Sequence, residues 1–211
     1  MEEIIWKDQH LVLHYYKAVF WSEAQALLIA DAHLGKVSHF RKAGMAIPND
    51  AAFQNIARIE YLLELFKPEK LIFLGDLFHS EMNLEWMAFK NLRKRFNAVD
   101  FILVEGNHDV LHGSSYTNAG LQLTQELHMG PFSFTHDPQP HASLYNLSGH
   151  IHPGILMQGL GRQSARFPCY YFGEDHGILP AFGAFTGLHL LKPKKKDKIY
   201  LIVNEKIIAA A

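Results

Sequence analysis

Hydrophobic residues in the first half of the chain alternate between short continuous runs and a helical spacing. Continuous apolar runs that end at a turn are typical of buried strands, and such runs occupy Gln25–Ala30, Lys70–Leu74 and Phe101–Val104. Between them, apolar residues recur at helical intervals and predict one amphipathic helix from Asn49 or Asp50 to about Phe66 and another from Asn83 to Phe96. This order of strands and helices predicts an α/β fold.

The remainder of the chain has shorter hydrophobic segments separated by turn residues. Residues 10–21 predict two short strands with a turn near Tyr16 and Lys17. Further strands are predicted at Phe132–Thr135, Tyr145–Ser148, Arg166–Phe172, Phe182–Leu191 and Ile199–Val203, the last followed by a hairpin turn at Asn204 and Glu205. Because no internal repeat or linker interrupts this pattern, we expect a single domain over residues 1–211.

Composition narrows the class of protein. The chain is 48% hydrophobic and 19% charged, as expected of an ordered domain, and its net charge of −1 provides no general attraction to nucleic acid or an anionic membrane. The acidic N-terminus predicts no signal peptide, and no apolar run approaches the roughly 18 residues that cross a bilayer. The single cysteine, Cys169, is expected to be buried and inert. These features predict a soluble cytoplasmic protein without a membrane partner.

Polar side chains with acid–base or metal-binding chemistry follow five of the apolar segments. They are Asp31 with His33, Asp76, Asn107 with His108, His136, and His150 with His152. Ligands gather at the carboxyl ends of strands in open α/β sheets. One such cluster could be a strand or helix cap, but five in succession indicate a functional site.

The ligand types point to transition metals. Imidazole mixed with hard oxygen donors suits manganese, iron or zinc better than calcium or magnesium. The set exceeds what one ion can use, whereas two ions about 3.5–4 Å apart that share a carboxylate would use all of it. Asp76 is alone at its strand end and is the natural bridge.

The motifs DAH, GD, GNHD, a lone His and GHIH, in this order from Asp31 to His152, resemble the signature of the calcineurin-like metallophosphoesterases. The flanking segments IADAHLGK, FRKAG, LGDLFHS, SGHIHPG and LPAFGAFTG resemble one bacterial subfamily, the ligase-associated DNA damage response metallophosphoesterases. The resemblance implies a four-layer α/β/β/α sandwich. It also implies a DNA endonuclease that works with a DNA ligase and a helicase.

The resemblance also assigns roles to residues. It implies a first metal site formed by Asp31, His33, Asp76 and His152, and a second formed by Asp76, Asn107, His136 and His150. Manganese is the first expectation for both ions, with iron and zinc as alternatives. The implied reaction is in-line attack of an activated water on phosphorus, with His108 as the general acid and Asp109 fixing the tautomer of His108.

Several assignments stay open at the sequence level. His79 either touches substrate or has a supporting or surface role. Lys36 and Arg41 either bind phosphate or lie in a solvated loop, and Arg166 is a weaker candidate with the same two alternatives. The basic cluster from Lys90 to Arg95 is either a solvated helix face or a nucleic-acid patch. His112, His128, His141, His176 and His189 are expected to be structural, and Gly149 and Gly154 to serve turn geometry.

Three functions remain: a nuclease, a phosphodiesterase or phosphomonoesterase for a small ester, and a non-catalytic scaffold that docks repair proteins. The oligomeric state is not specified by these patterns.

Overall fold

The computed structural model describes residues 1–37, 50–79, 82–159, 161, 163–184 and 186–210, with only the backbone of residues 50–52. Its strands are β1 (Glu2–Trp6), β2 (Gln9–His14), β3 (Ala18–Trp21), β4 (Ala26–Ile29), β5 (Lys70–Leu74), β6 (Asp100–Val104), β7 (Leu121–Thr124), β8 (Leu127–Met129), β9 (Phe132–Phe134), β10 (Tyr145–Ser148), β11 (Pro153–Gln158), β12 (Ser164–Phe172), β13 (His176–Ile178), β14 (His189–Leu190), β15 (Lys198–Val203) and β16 (Lys206–Ala210). The described helices are α1 (Asp50–Phe66), α2 (Leu84–Arg95) and α3 (Gly113–Asn118).

The first sheet combines an antiparallel meander with a parallel half. Its strands run in the order β1-β2-β3-β4-β5-β6-β7, antiparallel from β1 to β4 and parallel from β4 to β7. Ile29 of β4 pairs with Phe73 of β5, which pairs with Leu103 of β6. The carboxyl ends of β4, β5 and β6 therefore meet at one edge of this sheet.

The second sheet places two further strand ends nearby. Its order is β14-β11-β12-β13-β10-β9-β8, and the hairpin of β15 and β16 is attached to β12. Leu147 of β10 pairs in parallel with Phe134 of β9, so both strands end at the same side. The chain leaves β9 toward His136 and β10 toward His150.

The two sheets pack face to face over an apolar core. Leu28 and Ile72 of the first sheet lie in one buried cluster with Phe134 and Leu147 of the second. The opposite face of the first sheet is covered by the helices, for example through Ile59 of α1. Full burial of such a side chain stabilises the fold by about 1.5–3 kcal/mol, so these contacts hold the strand ends in place.

The α/β class of the prediction is confirmed, and so is the pair of facing sheets. All described helices contribute to the core on the outer face of the first sheet. The outer face of the second sheet instead carries a small cluster around Cys169, Ile199 and Leu201. Among the described residues, the layers thus follow the order helix, sheet and sheet.

Most predicted elements are present, and one strand prediction is wrong. In the described part of Phe182–Leu191, only His189 and Leu190 form a strand, β14. At the start of the segment, Phe182 donates a hydrogen bond to the carbonyl oxygen of Ala30 and Gly183 donates to that of Asp31, which ties this end to the chain that follows β4. The pattern missed β1, β7, β8, β11, β13 and α3, which are short or partly exposed. Asn49, one of the two predicted caps of α1, lies outside the described residues.

Two composition-based expectations are also tested by the structure. Cys169 is buried, and burial raises the pKa of its thiol to about 12. No described helix has the length and apolar character needed to cross a membrane.

Candidate metal centre

The structure brings all five predicted clusters to one edge of the paired sheets. Backbone hydrogen bonds extend the contact of β4 and β5 beyond the strands, from Asp31 to Gly75 and from His33 to Asp76. Across the sheets, the backbone N–H of His150 donates to both carboxylate oxygens of Asp31, at 3.2 and 2.9 Å. The polar clusters therefore lie together near the carboxyl ends of their strands, as the sequence predicts.

The first group of possible ligands consists of Asp31, His33 and His152. Nε2 of His152 lies 3.5 Å from Oδ1 of Asp31 and 3.4 Å from Nε2 of His33. Burial, and then the nearby charge of Lys36, lower the pKa of His33 to about 2. His33 is thus neutral at physiological pH, which is the protonation state that binds metal.

The second group consists of His136, Asn107 and His150. Nε2 of His136 lies 2.9 Å from Oδ1 of Asn107 and 3.0 Å from Nδ1 of His150. The other nitrogen of each ring is engaged: Nδ1 of His136 lies 3.0 Å from the carbonyl oxygen of Leu74, and Nε2 of His150 lies 3.3 Å from a carboxylate oxygen of Asp137. Such contacts, made by the ring nitrogen that faces away from the metal, fix the tautomer of a metal-binding histidine.

Asp76 lies between the two groups. Its Oδ2 is 3.9 Å from Nε2 of His33, whereas its Oδ1 is 3.4 Å from Nε2 of His136. Its side chain is buried. One carboxylate oxygen therefore faces each group, which is the geometry expected of a bridging ligand.

The donor chemistry fits divalent metal ions. Because Nδ1 of His136 is placed to donate to Leu74, its Nε2 presents a lone pair to the acceptor atoms of Asn107, His150 and Asp76. Converging lone pairs repel one another unless a cation lies among them. The possible ligand atoms of Asp31, His33 and His152, and those of Asp31, Asp76 and His136, each lie within 4.8 Å of one another.

The backbone at the site is strained. Five of the seven predicted ligands have a left-handed φ, namely Asp31 (51°), His33 (45°), Asp76 (51°), His150 (64°) and His152 (53°). Such a conformation costs of the order of 1–3 kcal/mol for a residue with a Cβ, and it persists where the surrounding structure imposes it. Here it turns successive side chains toward the same space.

Three glycines provide room for the side chains of predicted ligands. A Cβ at Gly75 would lie 2.1 Å from Nδ1 of His136, and one at Gly106 would lie 2.4 Å from Oδ1 of Asp76. At Gly149, a Cβ would lie 2.6 Å from Oδ2 of Asp31. Gly149 was predicted to serve turn geometry; its structural reason is instead this close approach, because its φ is not left-handed.

Asp109 has a different role from the predicted one. Its carboxylate accepts hydrogen bonds from the backbone N–H groups of Gly106 (2.8 Å), Asp76 (3.0 Å), Leu77 (2.9 Å) and Phe78 (3.2 Å) and from the hydroxyl of Tyr116 (3.2 Å). Among the described residues it makes no hydrogen bond with the ring of His108, so it does not set that tautomer. Asp109 instead holds the loop that carries Asp76, and burial raises its pKa.

His108 lies beside the proposed bridge with its side chain exposed. Its backbone N–H donates to Oδ1 of Asp76 at 2.8 Å. The ring centroid of His79 is 4.5 Å from that of His108 and 5.3 Å from that of His33, so His79 also faces the site.

Lys36 is the basic candidate that the structure places near this group. Burial lowers the pKa of Lys36, and the nearby charges of Asp76 and Asp31 act in the opposite direction. Arg41 lies outside the described residues.

The other sequence candidates lie away from this group or have structural contacts. Arg93 donates to the carbonyl oxygens of Gly120 and Phe96, and Arg95 pairs with Glu60 and Glu64. These contacts favour a structural role for that basic helix face. Arg166 is exposed on β12, and His112 accepts a hydrogen bond from the backbone N–H of Ser114 at the start of α3.

A surface group of Glu126, His128 and His141 also has metal-ligand spacing. Nδ1 of His141, however, accepts hydrogen bonds from the backbone N–H groups of Ser143 and Leu144. Its proton is therefore on Nε2, and neither ring nitrogen has a lone pair directed at the other two side chains. This group does not resemble the buried one.

Facing sheets with strand-end ligands, and a carboxylate between two histidine-containing groups, define a metal-dependent phosphoesterase. The calcineurin-like phosphoesterase family matches residues 25–203, and the chain belongs to that family, whose members use a dinuclear metal centre. Among solved structures, the nuclease MPE of Pseudomonas putida is similar, with a TM-score of 0.82 and 30% sequence identity over 99% of each chain. No curated protein sequence matches. The predictions of the superfamily and of a phosphoesterase enzyme are confirmed, which disfavours a non-catalytic scaffold.

Proposed function

We propose that this protein is a dinuclear phosphodiesterase that cleaves DNA. The observation that carries the proposal is the position of Asp76, whose two oxygens face two separate ligand groups while its Oδ1 accepts from the backbone of the exposed His108. The choice of DNA is supported by the similarity to a nuclease from Pseudomonas putida over nearly the whole chain.

The ligands divide into two sets that share Asp76. We assign Asp31, His33, Asp76 and His152 to the first ion, and Asp76, Asn107, His136 and His150 to the second. Manganese is our first choice because the set mixes imidazole and oxygen donors, with iron and zinc as alternatives. Such a pair of ions, when bound, acidifies water and offsets negative charge on the phosphoryl oxygens.

The protein's own groups then orient the substrate and supply a proton. His108 is exposed and belongs to neither ligand set, so it is placed to protonate the oxygen that leaves phosphorus. Lys36 lies near the carboxylates of Asp31 and Asp76 and would bind a non-bridging phosphate oxygen. His79 packs against His108 and would hold its ring in position.

Action in DNA repair is a further part of the proposal. It is supported by the flanking motifs around Asp31, Asp76 and His150, which resemble those of the ligase-associated subfamily. We propose a DNA ligase and a helicase as functional partners on this ground alone.

The test is hydrolysis by the Mn²⁺-loaded protein of an aryl phosphodiester, an aryl phosphomonoester, and single- and double-stranded DNA at two salt concentrations. We expect DNA cleavage that weakens steeply with salt, because phosphate contacts release counterions.

The role of His108 is tested in the same assay. His108→Ala should keep its metal content and lose roughly 10²–10⁴ in kcat on DNA. His112→Ala, at the start of α3, is the matched control and should retain activity. Unchanged turnover of His108→Ala would remove His108 from the mechanism.

A small ester remains the second candidate substrate. The net charge of −1 and the internal contacts of Arg93 and Arg95 favour it, because DNA binding normally uses many free cations. If the aryl esters are hydrolysed while DNA is intact at both salt concentrations, the metal mechanism stands and the nuclease assignment is wrong.

A further inference from the structure

A second concave region lies beside the metal centre. It is a cleft of about 770 Å³ between the β2–β3 turn, α1 and the β15–β16 turn. Its lining combines aromatic rings with charged groups, among them Tyr15, Tyr16, Lys17, Arg58, Tyr61 and Glu205.

Two cations face this cleft in close proximity. Lys17 and Arg58 are both partly buried, and neither forms an ion pair with a carboxylate among the described residues. Burial, and then the charge of Arg58, lower the pKa of Lys17 to about 8. Glu205 also lines the cleft, which leaves an excess of one positive charge when Lys17 is protonated. An anion between Lys17 and Arg58 would offset the repulsion between the two cations.

The wall of the cleft offers aromatic faces. The ring of Tyr16 is 4.6 Å from that of Tyr15 and 5.6 Å from that of Tyr61, centroid to centroid. The guanidinium of Arg58 lies over the Tyr16 ring at 5.2 Å. Tyr61 is 44% exposed, so its ring is accessible for stacking. Aromatic rings next to cations are a common means of binding nucleotides, whose bases stack while phosphates pair with the cations.

The turn that carries these groups is held in a defined conformation. The buried hydroxyl of Tyr170 lies 2.7 Å from the carbonyl oxygen of His14 and 2.9 Å from that of Ala18, on either side of the turn. The backbone N–H of Lys17 donates to His14, and Lys17 has a left-handed φ of 64°. A preformed turn reduces the entropy lost when a ligand binds.

The cleft opens at the same sheet edge as the metal ligands. Ala18 of β3 pairs with Ile29 of β4, so the β2–β3 turn lies next to the segment that leads to Asp31. Ala184 lines the cleft, and the neighbouring Gly183 donates a hydrogen bond of 3.0 Å to the carbonyl oxygen of Asp31. The cleft and the metal centre are therefore adjacent along one edge.

We propose that this cleft is a nucleotide-binding subsite, in which Lys17 and Arg58 hold a phosphate and the ring of Tyr61 stacks against the attached base. If the ligand is a DNA strand that binds next to the cleaved bond, the inference rests on the proposed action on DNA. A free mononucleotide has the same chemistry and is the other source of such a ligand.

The test measures binding to Mn²⁺-loaded protein in the His108→Ala background, which limits cleavage. The probes are a labelled oligodeoxynucleotide, followed by fluorescence anisotropy, and deoxyadenosine 5′-monophosphate, followed by calorimetry. Two cleft variants are compared, Lys17→Gln/Arg58→Gln and Tyr61→Leu. The control, Lys90→Gln/Lys94→Gln, removes the same charge from exposed positions on α2. Metal content and thermal unfolding establish that each variant is folded.

We expect the double cleft variant to raise the Kd of the oligonucleotide about ten-fold or more and to reduce the salt slope by roughly 1 to 2. Tyr61→Leu should raise the Kd roughly five-fold or more without changing the salt slope. The control should raise the Kd less than the double cleft variant does. Equal binding of both probes by the cleft variants and by the protein with an intact cleft would overturn the proposal.

The two probes separate this proposal from the proposed function. If the protein with an intact His108 cleaves no DNA but binds the mononucleotide in a manner that depends on Lys17 and Arg58, the nuclease assignment fails and the subsite stands with a free nucleotide as its ligand. If DNA is cleaved and neither probe depends on the cleft, the nuclease assignment stands and the subsite is wrong.

Discussion

Asp109 shows how a buried side chain can act on the metal centre through the backbone. Its carboxylate lies beneath the loop that carries Asp76 and accepts four backbone N–H groups and one hydroxyl. The position of the carboxylate that we propose as the bridge thus depends on a residue that hydrogen-bonds only to its backbone.

Replacing Asp109 by Asn should therefore destabilise the protein and weaken metal binding together. The amide NH₂ group would face backbone N–H donors, and leaving such groups unpaired costs about 1–3 kcal/mol. Tyr116→Phe is the matched control, because it removes one hydrogen bond to Asp109 and should cost only about 0.5–1.5 kcal/mol. Urea unfolding of the metal-free proteins and metal analysis of the loaded ones measure both effects. Equal losses in the two variants would argue against this role.

Gly149 makes a second prediction at the level of one atom. In Gly149→Ala the new Cβ would meet Oδ2 of Asp31 at 2.6 Å and Cβ of Ala30 at 2.8 Å. We expect a loss of about 1–3 kcal/mol of stability from overpacking, together with weaker binding at the first metal site. Gly187→Ala is the control, since nothing lies within 4 Å of its Cβ. Urea unfolding and metal titration check the result, and a Gly149→Ala protein with unchanged metal affinity would contradict it.

Helix α2 is an element whose limits follow from local chemistry. The side chain of Asn83 accepts hydrogen bonds from the backbone N–H groups of Glu85 (2.9 Å) and Trp86 (3.2 Å), as the sequence predicts for a helix cap. The first turn of α2 also reaches the metal edge, where Glu85 accepts a hydrogen bond of 2.6 Å from the backbone of Gly35.

Asn83→Ala should lower the free energy of unfolding by about 1 kcal/mol, because two backbone donors lose their partner. Asn91→Ala, at an exposed position within α2, is the control and should be neutral or slightly stabilising. Both changes are measured by urea unfolding. Similar values for the two variants would show that the cap contributes little.

At the scale of the whole molecule, contacts between segments that are distant in sequence bury the titratable side chain of His14. His14 of β2 is 1% exposed and lies among the rings of Tyr15, Tyr16, Tyr61 and Phe66. Burial lowers its pKa from 6.5 to about 4. Between these values the unfolded chain takes up a proton that the folded protein does not, so stability decreases as the pH falls from 6.5 toward 4.

We therefore expect the protein to lose about 2 kcal/mol more stability between pH 7 and pH 5 than His14→Gln does. The comparison uses urea unfolding in the presence of a chelator, so that metal loss does not contribute. Other titrating groups are shared by the two proteins and cancel in the difference. A parallel pH dependence of the two proteins would show that His14 is not the group responsible.

Elements governed by near neighbours were predictable from the sequence. The buried strands β4, β5 and β6 and the helices α1 and α2 follow from apolar runs, helical spacing and caps, which act over a few residues. The five clusters of predicted ligands could be found for the same reason, because each lies within a few residues of the end of its own strand. Short strands such as β7 and β13 lack a distinctive local pattern, and their parallel pairings, with β6 and β10 respectively, join segments separated by other elements.

Features that depend on contacts between distant segments were decided only by the tertiary structure. The backbone partners of Asp109, the space that Gly149 leaves for Asp31, and the cleft formed by Lys17, Arg58 and Tyr61 each join residues that are separated in sequence. Residue types indicate which chemistry is available, but the packing of the two sheets sets which atoms approach one another. For this reason the kind of metal site could be predicted from the chain, whereas its supports and its neighbouring cleft required the fold.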